Sequence, residues 1–243
     1  MSNSDRVALV LGGAGTVGSG IAKGLLDKGF KVVAVSRDGS KLEKLKVLIS
    51  PSRRENLLTV EGDIGSEEGA EQVKQALLTR MVTVTDVVSS LGFSWWQGGA
   101  PHTQNLKELR WVLDALLFST FVSWKAFFPL VRDNPKGTYT FITGGAADRL
   151  LMPGTGFLTV GAASALAFCQ VLQEEYPDTP CKFNQVRINT GVTSTERKAQ
   201  GYLCHLELGQ AVALLVEKGN PSHSVHTINC PDDLKTIASE ERI

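Results

Sequence analysis

The chain has 243 residues, with 25 Lys and Arg against 25 Asp and Glu, no net charge, and 42% hydrophobic residues. This length and composition predict one globular domain over residues 1–243 with a large core. The balanced charge excludes the Lys/Arg excess of a general nucleic-acid binder, so we expect a small, roughly neutral ligand. The cysteines are far apart and form no CxxC or Cys/His pair, which indicates neither a zinc site nor a disulfide framework.

The N-terminal residues MSNSDR are polar and lead directly into a strand-like segment. The sequence shows neither the apolar core of a signal peptide nor an apolar stretch of about 18 residues. We therefore expect a cytoplasmic protein with reduced cysteines that does not associate with a membrane.

Apolar, β-rich runs alternate with amphipathic helical patterns along the whole chain, which predicts βαβ units around a buried parallel sheet. The predicted strands cover residues 7–11, 31–36, 57–63, 84–92, 138–145, 182–189 and 223–229. The predicted helices cover about 17–28, 40–49, 67–80, 105–131 and 157–175, with two short helices before the last strand. The polar tail after Asn229 is predicted to extend or fray.

The strongest local motif is LVLGGAGTVGSG at residues 9–20, where a predicted strand turns into a helix through several glycines. Glycines there turn the chain tightly, let the backbone approach a pyrophosphate, and bring the helix close to the sheet. The helix N-terminus then presents its unpaired N–H groups to the anion. The motif predicts a dinucleotide site, the alternative being a glycine turn that only packs. The predicted cofactor-binding residues are Gly12, Gly15, Thr16, Val17 and Gly18.

The second predicted strand ends in Ser36 and Arg37, where an NAD-binding protein usually carries an acidic side chain. A guanidinium pairs with the 2′-phosphate of NADP, so these residues favour NADP(H) over NAD(H). Arg37 as a solvated loop charge is the alternative. Asp63 and Ile64 follow the third strand and are placed to contact the adenine, unless Asp63 only caps the next helix.

Together these features resemble the short-chain dehydrogenase/reductase superfamily over nearly the whole chain. The glycine motif looks like the family's TGxxGxxG variant, with Leu11 in place of the threonine, and Asp63 with Ile64 matches its adenine-contacting pair. The resemblance implies a single-domain, Rossmann-like, doubly wound parallel α/β sheet. It would have about seven strands in the order 3-2-1-4-5-6-7, with helices on both faces.

Two later segments also resemble family motifs that line the cofactor. Residues 89–92 (SSLG) occupy the place of its NNAG, and residues 184–189 followed by Thr193 are similar to its NAVxPGxxxT segment along the nicotinamide. Ile188 and Asn189 replace the Pro-Gly of that segment. The resemblance therefore implies further cofactor contacts from Ser90, Gly92, Asn189 and Thr193.

The family's chemistry rests on an Asn, a Ser, a Tyr and a Lys, and this sequence departs from that set. Counting from the matching landmarks places Leu116 at the Asn position and residues 143–145 (TGG) where the Ser is expected. Leu158 falls near the Tyr position and Ala162 near the Lys position. Residues 154–166 contain neither Tyr nor Lys, so no register recovers YxxxK.

Three interpretations survive this loss, because a carbonyl reductase needs a positioned proton donor. In the first interpretation, the protein is an NADPH-dependent reductase for an already activated acceptor, such as an imine, iminium ion or enone, with the cofactor supplying hydride. Alternatively it binds NADP without turnover, as a sensor or partner subunit. In the third interpretation the fold is reused for a non-redox cyclisation or isomerisation.

Substrate contacts are expected from the loops at the carboxyl ends of the strands. After the fourth strand, Trp95 and Trp96 offer apolar faces to a flat or polycyclic substrate, or they only cover a core edge. His102 in the same stretch either titrates near neutrality at the site or is simply solvated. Phe157, in the loop after the fifth strand, is a further predicted substrate contact.

The loop after the fifth strand supplies the candidate catalytic residues. Asp148, held in a largely apolar loop, would have a raised pKa and donate a proton, while Arg149 would hold an anionic or iminium-stabilising geometry. Their alternative is a surface ion pair. Thr143 keeps a hydroxyl near the family's Ser position, although a β-branched residue equally suits a strand end.

The resemblance also implies a homodimer or homotetramer assembled through the fourth and fifth helices. The predicted helix over residues 105–131 is more apolar and aromatic than one buried stripe requires, which favours such an assembly. A wall of the substrate site is the alternative role of its second apolar face.

Overall fold

The computed structural model describes residues 2–93, 95–197, 200–219 and 221–239, without the side chains of residues 238 and 239. Seven parallel strands form one sheet in the order β3-β2-β1-β4-β5-β6-β9, which confirms the predicted topology. These strands are β1 (Val7–Leu11), β2 (Lys31–Ser36), β3 (Leu57–Glu61), β4 (Asp86–Ser89), β5 (Thr138–Gly144), β6 (Lys182–Ile188) and β9 (Val225–Ile228). Two short strands, β7 (Val192–Thr193) and β8 (Leu203–Cys204), pair separately.

Helices cover both faces of this sheet. They are α1 (Thr16–Asp27), α2 (Gly39–Leu48), α3 (Glu67–Thr79), α4 (Leu106–Leu113), α5 (Ser119–Phe127), α6 (Gly156–Glu175), α7 (His205–Lys218) and α8 (Pro231–Ser239). The period-two alternation of the strands separates two cores. Leu9 and Leu11 face α3, α5 and α6, whereas Ala8 and Val10 face α1, α2, α7 and α8.

Two predictions for the C-terminal part are wrong. The two short helices expected before the last strand are the single helix α7, and the tail expected to fray forms α8. Asp233 in the first turn stabilises the start of α8, because its carboxylate accepts hydrogen bonds from the backbone N–H groups of Asn229 (2.7 Å) and Cys230 (3.2 Å). The same hydrogen bonds, the one from Asn229 first, hold the pKa of the Asp233 carboxyl below its usual value.

Two helical stretches are long and apolar enough to cross a membrane by length and composition, contrary to the prediction that the chain holds no such stretch. They are Leu106–Leu130, whose most apolar window is 50% buried, and Gly156–Glu175, with 22% buried. Both pack beside the sheet in this fold. Core helices pass the same criterion, so the two stretches are weak evidence for a membrane span.

A buried ion pair closes the amino end of the sheet. Arg6 and Asp86 form a two-pronged contact, with Nε–Oδ2 at 3.0 Å and Nη2–Oδ1 at 2.6 Å. The hydroxyls of Thr85 (2.7 Å) and Thr138 (2.8 Å) also donate to the Asp86 carboxylate. Asp86 is fully buried, so this cluster satisfies a charge that would otherwise be very costly.

The cysteines differ sharply in exposure, which predicts their reactivity. Burial raises the pKa of the Cys169 and Cys181 thiols to about 12, so both stay protonated at pH 8, and only a thiolate attacks. Cys230 is exposed and Cys204 half-buried. We expect a thiol reagent to modify Cys230 first and Cys204 more slowly, with all four reacting in denaturant. Peptide mapping checks this order, and rapid labelling of Cys169 in the native protein would contradict it.

Candidate functional site

The glycine loop between β1 and α1 is packed too tightly for side chains. Gly12 has a positive φ of 73°, and a Cβ there would overlap the carbonyl oxygen of Ser90 at the end of β4. A Cβ on Gly18 would overlap the Gly12 carbonyl oxygen. The loop therefore lies close against the carboxyl ends of β1 and β4, and it follows β1 as the sequence predicts.

The first turn of α1 keeps free donors beside this loop. Gly15 is the N-cap residue and provides no side-chain hydrogen bond, and Gly15 and Thr16 are both exposed. The unpaired N–H groups of a helix start bind anions well. The cradle formed by Gly12, Gly15 and Gly18 thus fits the pyrophosphate of a dinucleotide, with Thr16 and the half-buried Val17 in the first turn.

The side chains expected at the adenosine end lie together beyond β2 and β3. Arg37 is 75% exposed, and its Nε lies 3.9 Å from Asp63 Oδ1. The alternative role of Asp63 as a helix cap is wrong, because the Ser66 hydroxyl caps α3 by accepting from the Gly69 N–H (3.1 Å). Ile64 is buried in the core, so its side chain supports the position of Asp63 rather than facing a ligand.

Apolar side chains occupy the region where the family's Asn, Tyr and Lys are expected. The helix between α4 and α5 widens into a π-helical segment, Asp114–Phe118, and π-helical turns are frequent at functional sites. Leu116 in this segment lies between two glycines: a Cβ on Gly92 would be 2.5 Å from its Cδ2, and one on Gly161 would be 2.9 Å from its Cδ1. Leu158 is buried and Ala162 half-buried beside it on α6.

The loops after β4 and β5 are tied together above this region. The Gly98 N–H donates to the Gly154 carbonyl (2.9 Å), and the Gln97 side chain donates to the Pro153 carbonyl (3.1 Å). Gly154 has a φ of 90°, and a Cβ there would overlap the Gly98 carbonyl oxygen. The two loops therefore form one cover over the carboxyl edge of the sheet.

Aromatic rings line this cover. Trp96 stacks on Phe157 with ring centroids 5.3 Å apart, so the structure brings together two residues predicted to bind substrate. Trp95 is half exposed. His102 is exposed in the turn Pro101–Thr103, away from any described ion pair. A second stack, Phe93 on Trp111 at 4.8 Å, was not predicted.

The structure does not place Asp148 in the apolar surroundings that the sequence predicted. Its side chain is 49% exposed and forms an ion pair with Arg187 of β6, so the expected apolar enclosure is wrong. The alternative of a surface ion pair applies, but with Arg187 instead of Arg149. Arg149 is exposed and forms no ion pair with any residue that the structure describes.

Thr143 keeps its hydroxyl at the end of β5. Gln185 of β6, which is almost fully buried, donates its amide to the Thr143 Oγ1 at 2.6 Å. The hydroxyl can still donate one hydrogen bond of its own. Thr143, Gln185 and Arg187 share the sheet face that carries α5 and α6, since Thr143 is the register partner of Arg187.

The segment after β6 is held by side-chain contacts and by a short strand pair. Asn189 donates its side-chain amide to Asn229 (2.8 Å), and a Cβ on Gly145 would contact the Asn189 side chain at 2.5 Å. Thr193 pairs with Cys204 in the short β7–β8 ladder. Strand β7 also contacts α1, the helix that follows the glycine loop.

None of the three tyrosines stands on α6. Tyr139 is fully buried in β5, where burial raises the pKa of its phenol, and its hydroxyl lies 3.3 Å from Ser123 Oγ. Tyr176 follows α6 and stacks edge-on against Trp124 and Phe128. Tyr202 is half exposed and covers Gly191, where a Cβ would overlap its ring.

The fold and the glycine cradle are those of the doubly wound α/β class, whose members bind nucleotides at the carboxyl edge of the sheet. The family model described as short chain dehydrogenase matches residues 6–201. The chain therefore belongs to the short-chain dehydrogenase family, whose members are oxidoreductases that bind a nicotinamide cofactor.

Individual relatives agree with this assignment. The rhamnolipids biosynthesis 3-oxoacyl-[acyl-carrier-protein] reductase of Pseudomonas aeruginosa is 29% identical over 131 residues. That match covers 54% of this chain and 50% of the relative, so the chain spans about half the length of the curated relative.

Solved structures show the same fold. An alcohol dehydrogenase from the archaeon Thermococcus sibiricus, complexed with 5-hydroxy-NADP, superposes with a TM-score of 0.78 at 22% identity, covering 92% of this chain and 95% of that one. A short-chain dehydrogenase/reductase from Serratia marcescens gives a TM-score of 0.79 at 17% identity, covering 94% and 98%. At these identities the likeness concerns the fold alone.

Sequence reasoning missed Arg187 and Gln185. Both stand on the same face of β6, two positions apart, in a strand whose neighbouring positions are mostly apolar. A charged residue near the carboxyl end of a predicted interior strand is a usable signal, because such a side chain lies at the ligand-binding edge.

Proposed function

We propose that this protein is an NADPH-dependent reductase that acts on an already activated acceptor in an aromatic-lined site without the family's Tyr and Lys. The observation that carries the proposal is the combination of an intact glycine cradle with apolar side chains at the tetrad positions. The cradle retains the shape for a dinucleotide, and Leu116 and Leu158 offer no proton donor.

The residues of this chain then bind the cofactor, orient the acceptor and exclude water. Gly12, Gly15, Gly18 and the first turn of α1 hold the pyrophosphate, and Arg37 faces the 2′-phosphate. When bound, the reduced nicotinamide supplies the hydride. Trp95, Trp96 and Phe157 hold a flat or polycyclic acceptor, and the Thr143 hydroxyl donates to a substrate oxygen. The remaining proposed cofactor contacts are Ser36, Asp63, the main chain of Ile64, Ser90, Gly92, Asn189 and Thr193.

A non-catalytic NADP-binding protein is the second candidate, favoured by the same apolar tetrad positions. Consumption of NADPH in the presence of an acceptor separates the two functions.

We further propose a homodimer or homotetramer. The exposed Trp111, Phe118 and Phe121 on the α4–α5 helix support that assembly, since large exposed apolar patches mark interaction surfaces.

The cofactor preference is tested by the Arg37→Ala variant. Loss of a charge-assisted hydrogen bond is expected to weaken NADPH binding by about 10-fold or more and to leave NADH binding unchanged. Protein fluorescence and thermal shift measure both affinities, since a ligand that binds only the native state raises its melting temperature.

Arg132→Ala serves as the control, because Arg132 is an exposed cation whose described partner is the neighbouring Asp133. It should bind both cofactors as the unmodified protein does. Equal weakening of NADPH and NADH by Arg37→Ala would reject the assigned role of this side chain.

A further inference from the structure

Arg187 carries donors that the described part of the chain does not use. It stands next to the last residue of β6, at the carboxyl edge of the sheet. Its Nη2 bonds to Asp148, whereas its Nε is buried and has no hydrogen-bond partner. The side chain as a whole is 20% exposed, so part of it reaches the surface at the carboxyl edge of the sheet.

An unpaired buried donor on a cation requires an explanation. A guanidinium has five N–H donors and no acceptor, and buried donors are nearly always paired because leaving one unpaired is costly. The Arg187 guanidinium lies on the same sheet face as the Thr143 hydroxyl. Both groups donate hydrogen bonds, so together they fit an oxygen atom rather than a second donor.

The local charges also favour an anionic or polarised oxygen. Among the described residues of the β5–α6 loop and the end of β6, the charged side chains are Asp148, Arg149 and Arg187, two cations against one carboxylate. A positively charged iminium ion would meet net repulsion there, while an oxygen that gains negative charge would be attracted.

Asp148 positions this cation. It ties the loop after β5 to β6, and the far end of the same loop is held by the Gly154–Gly98 hydrogen bond beneath the tryptophan-bearing loop. The aromatic cover and the Arg187 guanidinium therefore belong to one connected wall. A ligand with an aromatic body and a polar oxygen at one end matches both parts of that wall.

We propose that Arg187 binds the oxygen of the substrate, and that the acceptor is an aromatic, conjugated carbonyl compound and not an imine or iminium ion. This inference rests on the proposed function, which supplies the reduced nicotinamide as the two-electron reductant. In the reduction, a C–H bond of the reduced nicotinamide breaks and its hydride forms a C–H bond at the β-carbon of the acceptor. The C=C electron pair becomes the bond between the α-carbon and the carbonyl carbon, the C=O electron pair moves onto the oxygen, and water then protonates the α-carbon and leaves hydroxide. The Arg187 guanidinium stabilises the enolate oxygen.

The first test uses binding and needs no turnover. 2-Naphthoate, an aromatic carboxylate, is titrated into the full-length protein with NADP⁺ present, by calorimetry. We expect Arg187→Met to weaken its binding by about 10-fold or more, and Arg187→Lys to recover part of the loss by keeping the charge. Arg132→Met, which changes an exposed arginine paired with Asp133 after α5, should bind as the unmodified protein does.

A matched pair of acceptors gives the second test. An aryl enone and a cyclic aryl iminium ion of the same size are supplied with NADPH, and product is quantified by mass spectrometry. The inference predicts reduction of the enone, with kcat lowered about 100-fold in Arg187→Met, the usual effect of removing one oxyanion donor. Reduction of the iminium ion in preference to the enone would overturn it.

The two proposals fail in distinguishable ways. Naphthoate binding that Arg187→Met leaves unchanged overturns the role of Arg187, whatever happens to NADPH. Absence of NADPH binding overturns the proposed function, while naphthoate binding measured without nucleotide still decides whether Arg187 holds the oxygen. Melting temperatures of the variants show whether each is folded, and Arg187→Ala replaces Arg187→Met if Arg187→Met does not fold.

Discussion

Asp86→Ala is expected to destabilise the protein by about 3–5 kcal/mol, the usual cost of leaving a buried charge without its partner. The substitution leaves the Arg6 guanidinium without its carboxylate and removes the acceptor of the Thr85 and Thr138 hydroxyls. Arg6 would keep only backbone acceptors, the carbonyls of Val216 and Glu217 on α7. Urea denaturation of both proteins measures the difference.

Asp133→Ala is the matched control, since it removes a carboxylate from an exposed Arg–Asp pair. Solvent screens that pair, so its midpoint in urea should match that of the unmodified protein. If Asp86→Ala and Asp133→Ala unfold at the same urea concentration, the Arg6–Asp86 cluster does not hold the amino end of the sheet as described.

Gly12→Ala is expected to weaken NADPH binding by about 100-fold, as small displacements at a positioned site do. The new methyl group would overlap the Ser90 carbonyl oxygen, so the glycine loop must move away from β4. The positive φ of Gly12 adds strain for any side chain. Fluorescence titration gives the affinity, and the melting temperature reports the accompanying loss of stability.

Gly219→Ala is the control that separates the backbone strain of a positive φ from steric overlap with a neighbouring atom. Gly219 also has a positive φ, 55°, at the end of α7, but a Cβ there would contact nothing within 4 Å. It should lower stability slightly and leave NADPH affinity unchanged. Equal NADPH affinity in the Gly12→Ala variant and the unmodified protein would show that the cofactor does not use this loop.

Most of the sheet could be predicted from the sequence because the signals for its strands are local. β1 and β2 begin and end where the apolar, β-branched runs do, and α1 begins within the glycine motif. The C-terminal region gave weaker local signals. The tail looked polar, yet Asp233 caps α8 while Leu234 and Ile237 enter the core.

The candidate site was less predictable because its contacts join distant residues. Asp148 and Arg187 are 39 positions apart, and Gly98 and Gly154 meet only because β4 and β5 are neighbours in the sheet. Composition suggested an apolar environment for Asp148, since three apolar residues follow closely, but Leu150, Leu151 and Met152 are themselves exposed. The stacking of Trp96 on Phe157 was anticipated as a shared role rather than as a contact.

The most direct test of the central claim is transfer of deuterium from NADPH labelled at C4 of the nicotinamide to an acceptor. The protein is incubated with each stereoisomer of the labelled cofactor and a set of aromatic enones, and the products are analysed by mass spectrometry. The account predicts deuterium at the β-carbon of a reduced enone, from one stereoisomer only. A protein that binds NADPH tightly and transfers deuterium to none of the acceptors would contradict it and would favour a nucleotide binder without redox activity instead.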